Sequence, residues 1–263
     1  MLKREWEQNA ISDPFWSILS MERFRTASIE NSIDEFFQTG VEHVDYIVRL
    51  LNSEYGFTPR PDGVAVDFGC GVGRCSAALM RQFPTVVGYD LAEPMIKLAR
   101  EHARAAYERV ADRQDSSVDR QLELSSDPTV LDVYSGRADL VHSVIVFQHI
   151  PPDDGYQELT RLARCLRPGG CGFVHITLAR RLSDVDLRVN RYAEGSLDIS
   201  MFAYSADRLL NVLNEAGMTH VNSHIVPMGD HLWSANVTFR RPYANCLDIE
   251  APAIHKRCHL ISL

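Results

Sequence analysis

The chain lacks several features that mark common functional classes. Among its 263 residues, no apolar run approaches the roughly 20 residues that a membrane-spanning helix needs. Positive charge is in deficit, and the net charge of −8 argues against nucleic acid as the main partner because phosphate binding needs a basic surface. No apolar signal core follows the basic residues at the start of the chain, so we expect a cytoplasmic protein.

Paired cysteines and internal repeats are also missing. The six cysteines form no C-x-x-C pair and fit no common zinc template, so we expect no metal site and interpret them as reduced thiols. They are Cys70, Cys75, Cys165, Cys171, Cys246 and Cys258. The chain contains no internal repeat and no low-complexity tract.

The pattern of apolar residues changes near residue 60. Residues 1–60 carry apolar residues at three- and four-residue steps, which predicts helices, and Asp13-Pro14 predicts a helix start. From Val64 onward, short apolar strands alternate with helices, which predicts an α/β fold with a doubly wound, parallel sheet. We expect residues 180–204 to be irregular, a helix after Ser205 and a closing antiparallel pair of strands.

The stretch VAVDFGCGVGRC, Val64–Cys75, leads from an apolar strand into three glycines at alternate positions. Glycine lets a backbone approach a ligand closely, and a following helix points its amide groups into the same space. A dinucleotide-binding fingerprint needs glycine at the position where this chain has Arg74. A P-loop needs lysine followed by serine or threonine after the glycines, and this chain has no such pair there. The carboxylate of Asp67, just before the glycines, would repel a pyrophosphate.

A second acid, Asp90, ends the next strand in VVGYDLAEPM. A carboxylate at that strand end can accept hydrogen bonds from both hydroxyls of a ribose. Asp67 or Asp90 alone would be an ordinary loop acid. Together with the glycines they favour a ligand with a ribose but no phosphate, such as a nucleoside that carries an amino-acid chain.

Four segments in order resemble the class I S-adenosylmethionine-dependent methyltransferases: VAVDFGCGVGRCSAAL, VVGYDLAEPMIKLAR, ADLVHSVIVFQHIPP and LRPGGCGFVHIT. The opening from DPFWSILS to EFFQTG is similar to a small-molecule subgroup of that family. The resemblance implies a seven-stranded, mostly parallel sheet with an antiparallel last strand, and S-adenosyl-L-methionine as cofactor. It divides the chain into a helical N-terminal extension or lid (1–60), a class I methyltransferase domain (61–241) and a C-terminal tail (242–263).

The same resemblance implies a cofactor site at the ends of the first four strands. The glycine loop would contact the methionine part above Asp67, Asp90 would bind the ribose, and a polar residue after the third strand would meet the adenine amino group. The implied cofactor-binding residues are Asp67, Gly69, Cys70, Gly71, Gly73, Asp90, Leu91, Met95, Ser126, Asp127 and Ser143.

Transfer of a sulfonium methyl group needs an acceptor held in line, and a base where the acceptor must lose a proton. His149, in FQHIPP, is the catalytic candidate, because several relatives carry a histidine here and some use it as a general base. The alternative is that His149 caps the helix begun by Pro151-Pro152 and only shapes the pocket. His142 and His175 lie within strands, where core histidines are more typical.

Six residues outside the cofactor set are candidate substrate contacts: Trp16, Phe36, Phe37, Tyr204, His231 and Trp233. Aromatic residues at helical spacing are more often plain core, and that alternative stays open. We expect methyl transfer to a small molecule of specialised metabolism, with oxygen or nitrogen ahead of carbon as acceptor. The alternative is the same fold used for a cyclisation or as a non-catalytic partner subunit. We expect no nucleic-acid or membrane partner, and a homodimer through 242–263 stays open.

Overall fold

The chain divides into two compact units, Met1–Val130 with Tyr192–Ile199 and Leu131–Arg191 with Ser200–Leu263. The computed structural model describes residues 2–110, 119–179, 187–194, 197–228, 232–244 and 258–260. Within these ranges, no helix combines the length and the apolar character needed to cross a bilayer.

Helices and strands alternate after residue 60, as the sequence predicts. The helices are α1 (Leu2–Ser12), α2 (Pro14–Ile18), α3 (Ile33–Tyr55), α4 (Arg74–Leu79), α5 (Glu93–Val110), α6 (Thr129–Val133), α7 (Pro152–Cys165) and α8 (Ala206–Glu215). The strands are β1 (Val64–Phe68), β2 (Thr85–Tyr89), β3 (Gln121–Ser125), β4 (Ala138–Ser143), β5 (Leu166–Ala179), β6 (Leu187–Glu194), β7 (Leu197–Ala203), β8 (Thr219–Met228), β9 (Leu232–Arg240) and β10 (Cys258–Leu260).

In the first unit, β1, β2 and β3 form a parallel array with β2 in the middle. The register pairs Phe68 with Tyr89 and Tyr89 with Ser125, so the carboxyl ends of all three strands lie level. Nearly all side chains of β1 and β2 are buried because helices pack against them. Loops that leave these ends therefore meet at one edge, where open α/β sheets bind ligands.

The N-terminal helices pack against the first unit through apolar faces. α3 buries Phe36, Val44 and Leu51 on one side and ends at Gly56, whose φ of 64° makes it a left-handed cap. α2 begins at Pro14, which confirms the helix start predicted at Asp13-Pro14. The helices predicted for residues 1–60 are present, whereas the division of the chain into an extension, a methyltransferase domain and a tail stays a prediction.

The second unit contains β4, β5, β8, β9 and β10. β4 and β5 are parallel, whereas β9 is antiparallel to both β5 and β8, which confirms the predicted closing pair. Ser205 caps α8 by accepting a hydrogen bond from the Arg208 amide at 3.3 Å. With β1–β3 of the first unit, these strands confirm the α/β class and the mostly parallel sheet with antiparallel last strands; β10 adds three residues beside β8.

Residues 180–204 are not irregular throughout, which corrects the sequence prediction. β6 and β7 form a separate two-stranded sheet. The sequence of β7, LDISMFA, begins with apolar and polar residues in alternation, the period of a strand. The high charge of the surrounding segment obscured this pattern.

Candidate functional site

The loop between β1 and α4 is built on left-handed backbone. Gly69, Gly71 and Gly73 have φ values of 72°, 54° and 83°, which residues with a Cβ rarely adopt. The amides of Gly69 and Cys70 donate hydrogen bonds to the Tyr89 carbonyl at 2.7 and 2.9 Å. The loop is therefore tied to the end of β2.

The glycines also permit close packing around the loop. A Cβ on Gly73 would lie 2.7 Å from the Ala103 Cβ of α5, and one on Gly71 would lie 2.6 Å from Ile18 Cδ1 of α2. In the middle of β2, a Cβ on Gly88 would lie 3.1 Å from the Cys70 sulfur. Sequence reasoning missed Gly88, although an isolated glycine inside an apolar strand is a signal of close approach.

Asp67 lies in β1 just before this loop, and Cys70 belongs to the loop itself. The Asp67 carboxylate is almost fully buried and accepts a hydrogen bond from Ser76 Oγ at 2.6 Å, which joins β1 to α4. Burial raises the pKa of the Cys70 thiol well above its usual value, and the carboxylates of Asp90 and Asp67 raise it further. Cys70 therefore stays a neutral thiol, and its side chain supplies packing rather than a nucleophile.

Asp90 joins the glycine loop to the start of α5. Its Oδ2 accepts a hydrogen bond from the Gly71 amide and its Oδ1 one from the Ala92 amide, both at 2.9 Å. Burial raises the pKa of Asp90 to about 6, and the Asp67 carboxylate adds to the effect, whereas the two amide bonds oppose it. At neutral pH Asp90 is a carboxylate.

The carboxylate of Asp90 fits the ribose of an adenosyl cofactor. Each carboxylate oxygen has room for a further hydrogen bond beyond the amide it already accepts, so the pair can receive both hydroxyls of a diol. Asp67 and Asp90 together disfavour a phosphate group. The chemistry of this donor and acceptor set matches S-adenosyl-L-methionine rather than a dinucleotide.

The segment after β3 contains two candidates for the adenine amino group. Ser126 is half-buried and donates a hydrogen bond to Glu93 Oε2 at 2.5 Å. Asp127 is exposed, and its carboxylate accepts the Thr129 amide at 2.9 Å at the start of α6, a bond that lowers its pKa. The choice between Ser126 and Asp127 stays a prediction, and sequence reasoning missed Glu93 as a partner.

Leu91 and Met95, which the family resemblance implies lie beside the adenine, differ in exposure. Met95 is buried in a core cluster that includes Val72 and Ala92, whereas Leu91 is half-buried. Both lie at or near the start of α5, next to Asp90 in the chain. Their roles toward the cofactor stay predictions.

In the second unit, His149 is held by its neighbours in a defined tautomer. Its Nδ1 lies 2.9 Å from the Ser200 carbonyl oxygen, and its Nε2 lies 3.1 Å from Gln148 Nε2. Because a carbonyl only accepts, Nδ1 carries the proton and Nε2 keeps its lone pair. Burial lowers the pKa of His149 to about 4, the Ser200 carbonyl opposes this, and His175 lowers it further, so the ring is neutral at physiological pH.

The helix-capping role considered for His149 is not seen. α7 begins at Pro152 with Pro151 as its cap, and no side chain makes a capping hydrogen bond there. The turn before His149 instead shows backbone strain, because Ile145 has a φ of 59°, an outlier for a β-branched residue. Such strain is typical of functional turns, and Ser143, the fully buried last residue of β4, precedes it.

Tyr204 braces this turn from the side. It is fully buried, and its hydroxyl lies 2.9 Å from the Phe147 carbonyl oxygen and 2.8 Å from that of Ile150. Gly155 of α7 leaves the space for the ring, because a Cβ there would meet the Tyr204 hydroxyl. This geometry commits the Tyr204 hydroxyl to positioning the turn that carries His149; its role as a substrate contact stays a prediction.

The other candidate substrate contacts are mostly buried aromatic side chains. Phe36 is fully buried and makes edge-to-face contacts with Phe15, Phe24 and Phe37, with 5.1–5.5 Å between the ring centroids. Trp16 is also buried, under the guanidinium of Arg25. These contacts favour the core alternative. Half-buried Trp233 lies in β9, and His231 lies outside the described residues.

No disulfide bond joins the cysteines whose side chains the structure describes. They are Cys70, Cys75, Cys165 and Cys171, and all four are buried. The side chains of Cys246 and Cys258 lie outside the described residues, as does most of the tail from residue 242.

Comparison with known proteins shows what the segment that carries this site is similar to. Residues 65–170 match the family model of a methyltransferase domain. A ubiquinone biosynthesis O-methyltransferase of Methylococcus capsulatus is 34% identical over 119 residues, which cover 45% of this chain and 44% of that protein. One of Dinoroseobacter shibae is 26% identical over 227 residues, which cover 81% and 80%. The chain therefore spans under half the length of the first of these relatives.

The fold has solved counterparts. The magnesium protoporphyrin IX methyltransferase of Synechocystis PCC 6803, crystallised with S-adenosylmethionine, superposes with a TM-score of 0.52 at 16% identity. The match covers 89% of this chain and 97% of that one. At this identity the likeness concerns the fold.

Proposed function

Residues 65–170 are a class I S-adenosyl-L-methionine-dependent methyltransferase domain, and on that premise we propose that the chain transfers the cofactor's methyl group to an oxygen atom of a small molecule. The observation that carries the proposal is the carboxylate of Asp90, held by the Gly71 and Ala92 amides at the end of β2 with acceptor capacity to spare. The name O-methyltransferase of the relatives supports oxygen ahead of nitrogen as the acceptor atom.

Each part of the loop has a task toward the cofactor. Asp90 would accept the ribose hydroxyls, the main chain of Gly69, Gly71 and Gly73 would lie against the methionine part, and Ser143 would face its amine. Asp67 acts from below, since its bond to Ser76 holds the loop. When bound, the cofactor supplies an already activated sulfonium methyl group, so the protein needs to orient the acceptor and exclude water.

His149 is proposed to receive the acceptor's proton. Its Nε2 keeps a lone pair because Nδ1 donates to the Ser200 carbonyl, and the acceptor hydroxyl would take the place of the Gln148 side-chain amide, which lies 3.1 Å from Nε2. With a pKa of about 4, the imidazole is neutral over the physiological range, but it is a weak base. It therefore accepts a hydrogen bond from the acceptor hydroxyl and gains the proton only as the methyl group is transferred.

Radiolabelled methyl transfer tests the proposal. The protein is incubated with methyl-labelled S-adenosylmethionine and a panel of small hydroxyl- and amine-bearing acceptors, and products are separated by chromatography. We expect labelled product and S-adenosylhomocysteine in equal amounts, and none with Asp90→Ala, whose fold is checked by circular dichroism. A rearranged but unlabelled product would instead support the cyclisation alternative, and failure of the wild type to bind S-adenosylhomocysteine would refute the site.

A further inference from the structure

The first residue of α4, Arg74, is a buried cation that has no counter-charge among the described residues. The residue is 6% exposed, and its Nη1 donates to Thr39 Oγ1 at 3.3 Å. Its Nε is buried without an acceptor. Among the residues that the structure describes, no carboxylate lies within ion-pair distance of the guanidinium.

The neighbours of Arg74 do not neutralise it. The Thr39 hydroxyl donates its own proton to the Phe36 carbonyl at 2.6 Å, so only a neutral oxygen faces the guanidinium. Gly40 of α3 lets the two helices approach closely here, because a Cβ there would collide with the Arg74 carbonyl group and would lie 3.1 Å from Arg74 Cγ. The side chain is therefore enclosed by α3 rather than extended toward water.

Within the part of the chain that the structure describes, Arg120 is the other buried arginine, and its guanidinium has more hydrogen-bond acceptors than that of Arg74. Arg120 donates to the carbonyls of Met80 and Phe83 at 2.6 and 3.3 Å, close to the end of α4. Arg167 pairs with the buried carboxylate of Asp139. A buried guanidinium that lacks such partners opposes folding, and an apolar side chain of similar volume would be more stable in its place. Another task must therefore explain it.

We propose that Arg74 binds a carboxylate of a bound ligand. A guanidinium presents parallel N–H groups that match a carboxylate, and Arg74 directly follows Gly73 of the cofactor loop. The carboxylates of Asp67 and Asp90 in the same unit disfavour a more highly charged phosphate. The carboxylate belongs either to the amino-acid end of the cofactor or to the acceptor. The identity of the ligand rests on the proposed function, whereas the burial of the Arg74 guanidinium does not depend on it.

Calorimetry on Arg74→Met separates the two sources. If Arg74 holds the cofactor, the variant binds S-adenosylhomocysteine about tenfold to a hundredfold more weakly, whereas 5′-methylthioadenosine, which lacks the amino acid, binds as before. If Arg74 holds the acceptor, the variant binds both nucleosides like the wild type. Benzoate, titrated alone and in the presence of S-adenosylhomocysteine, then binds the variant more weakly than the wild type. Arg81→Met, which removes a half-exposed charge paired with Asp45, is the matched control and should bind all probes like the wild type.

Thermal melting provides a second measure that needs no ligand. Arg74→Met should melt no lower than the wild type, whereas Arg120→Met should melt lower because two carbonyls lose their donor. If Arg74→Met does not fold, Arg74→Lys is used in its place. Lysine keeps the positive charge but lacks the parallel N–H donors of the guanidinium, so we expect the same losses of affinity. Unchanged binding of S-adenosylhomocysteine and benzoate by a folded Arg74 variant overturns the inference. Failure of the wild type to bind either nucleoside instead refutes the proposed function, and the benzoate and melting experiments still decide the role of Arg74.

Discussion

Acidification should weaken cofactor binding because Asp90 takes up a proton in a range where ordinary aspartates do not. Its pKa is about 6 instead of 3.8, since burial disfavours the carboxylate. At pH 5 roughly one tenth of the molecules keep the carboxylate, whereas an unperturbed aspartate would remain more than about 90% ionised. If the ribose binds only to the ionised form, affinity for S-adenosylhomocysteine falls about tenfold between pH 7.5 and pH 5, or about 1.4 kcal/mol.

Isothermal titration calorimetry at the two pH values measures this effect directly. Asp90→Asn should bind S-adenosylhomocysteine weakly at both pH values. Its side chain has one acceptor oxygen instead of two, so it cannot accept from the Gly71 and Ala92 amides and also from both ribose hydroxyls. Asp153→Asn is the control, since Asp153 is an exposed acid of α7 that pairs with Arg208 and lies outside the glycine loop. Equal affinity of the wild type at both pH values, or a pH dependence that survives in Asp90→Asn, would refute the assignment.

Three further outcomes test the second unit. His149→Ala should lower turnover about hundredfold or more with unchanged affinity for S-adenosylhomocysteine, and equal losses in both would favour a packing role. Tyr204→Phe should lower the free energy of unfolding by about 1–3 kcal/mol because the buried Phe147 and Ile150 carbonyls lose their donor. Gly155→Ala should also lower it, because the added methyl group would crowd the Tyr204 side chain. If neither variant changes the urea unfolding curve, Tyr204 does not brace the turn. His149 and His175 have pKa values of about 4 in the folded protein against 6.5 in the unfolded chain. Their contribution to stability is therefore present above pH 6.5 and lost as the pH falls toward 4, by about 3 kcal/mol each. A variant with glutamine at both positions should lose less stability over this range in unfolding curves, and an unchanged pH dependence would contradict the assignment.

The glycine loop could be predicted from sequence because its geometry is local. Gly69, Gly71 and Gly73 have the left-handed backbone that their spacing indicates, and Asp67 and Asp90 end adjacent strands as their position after apolar runs predicts. Gly88 and Glu93 were missed because their importance depends on Cys70 and Ser126, which meet them only in the folded chain.

The aromatic residues of the N-terminal extension show the opposite case. Helical spacing predicts that Trp16, Phe36 and Phe37 share buried faces, but it does not distinguish a lid from a core. The edge-to-face contacts of Phe36 arise between segments that are separate in the sequence, such as Phe15 and Phe24. Only packing decides between the two.

The sequence alone determined where the strands end, where the backbone turns left-handed and which carboxylates flank that turn, because these properties depend on residues adjacent in the chain. Only the tertiary structure decided the states of the charges. Ser200, 51 positions from His149, sets the tautomer of that histidine, burial raises the pKa of Asp90, and Arg74 is left with a neutral threonine 35 positions away. Protonation and charge pairing depend on the dielectric surroundings and on distant partners, and a sequence pattern records neither.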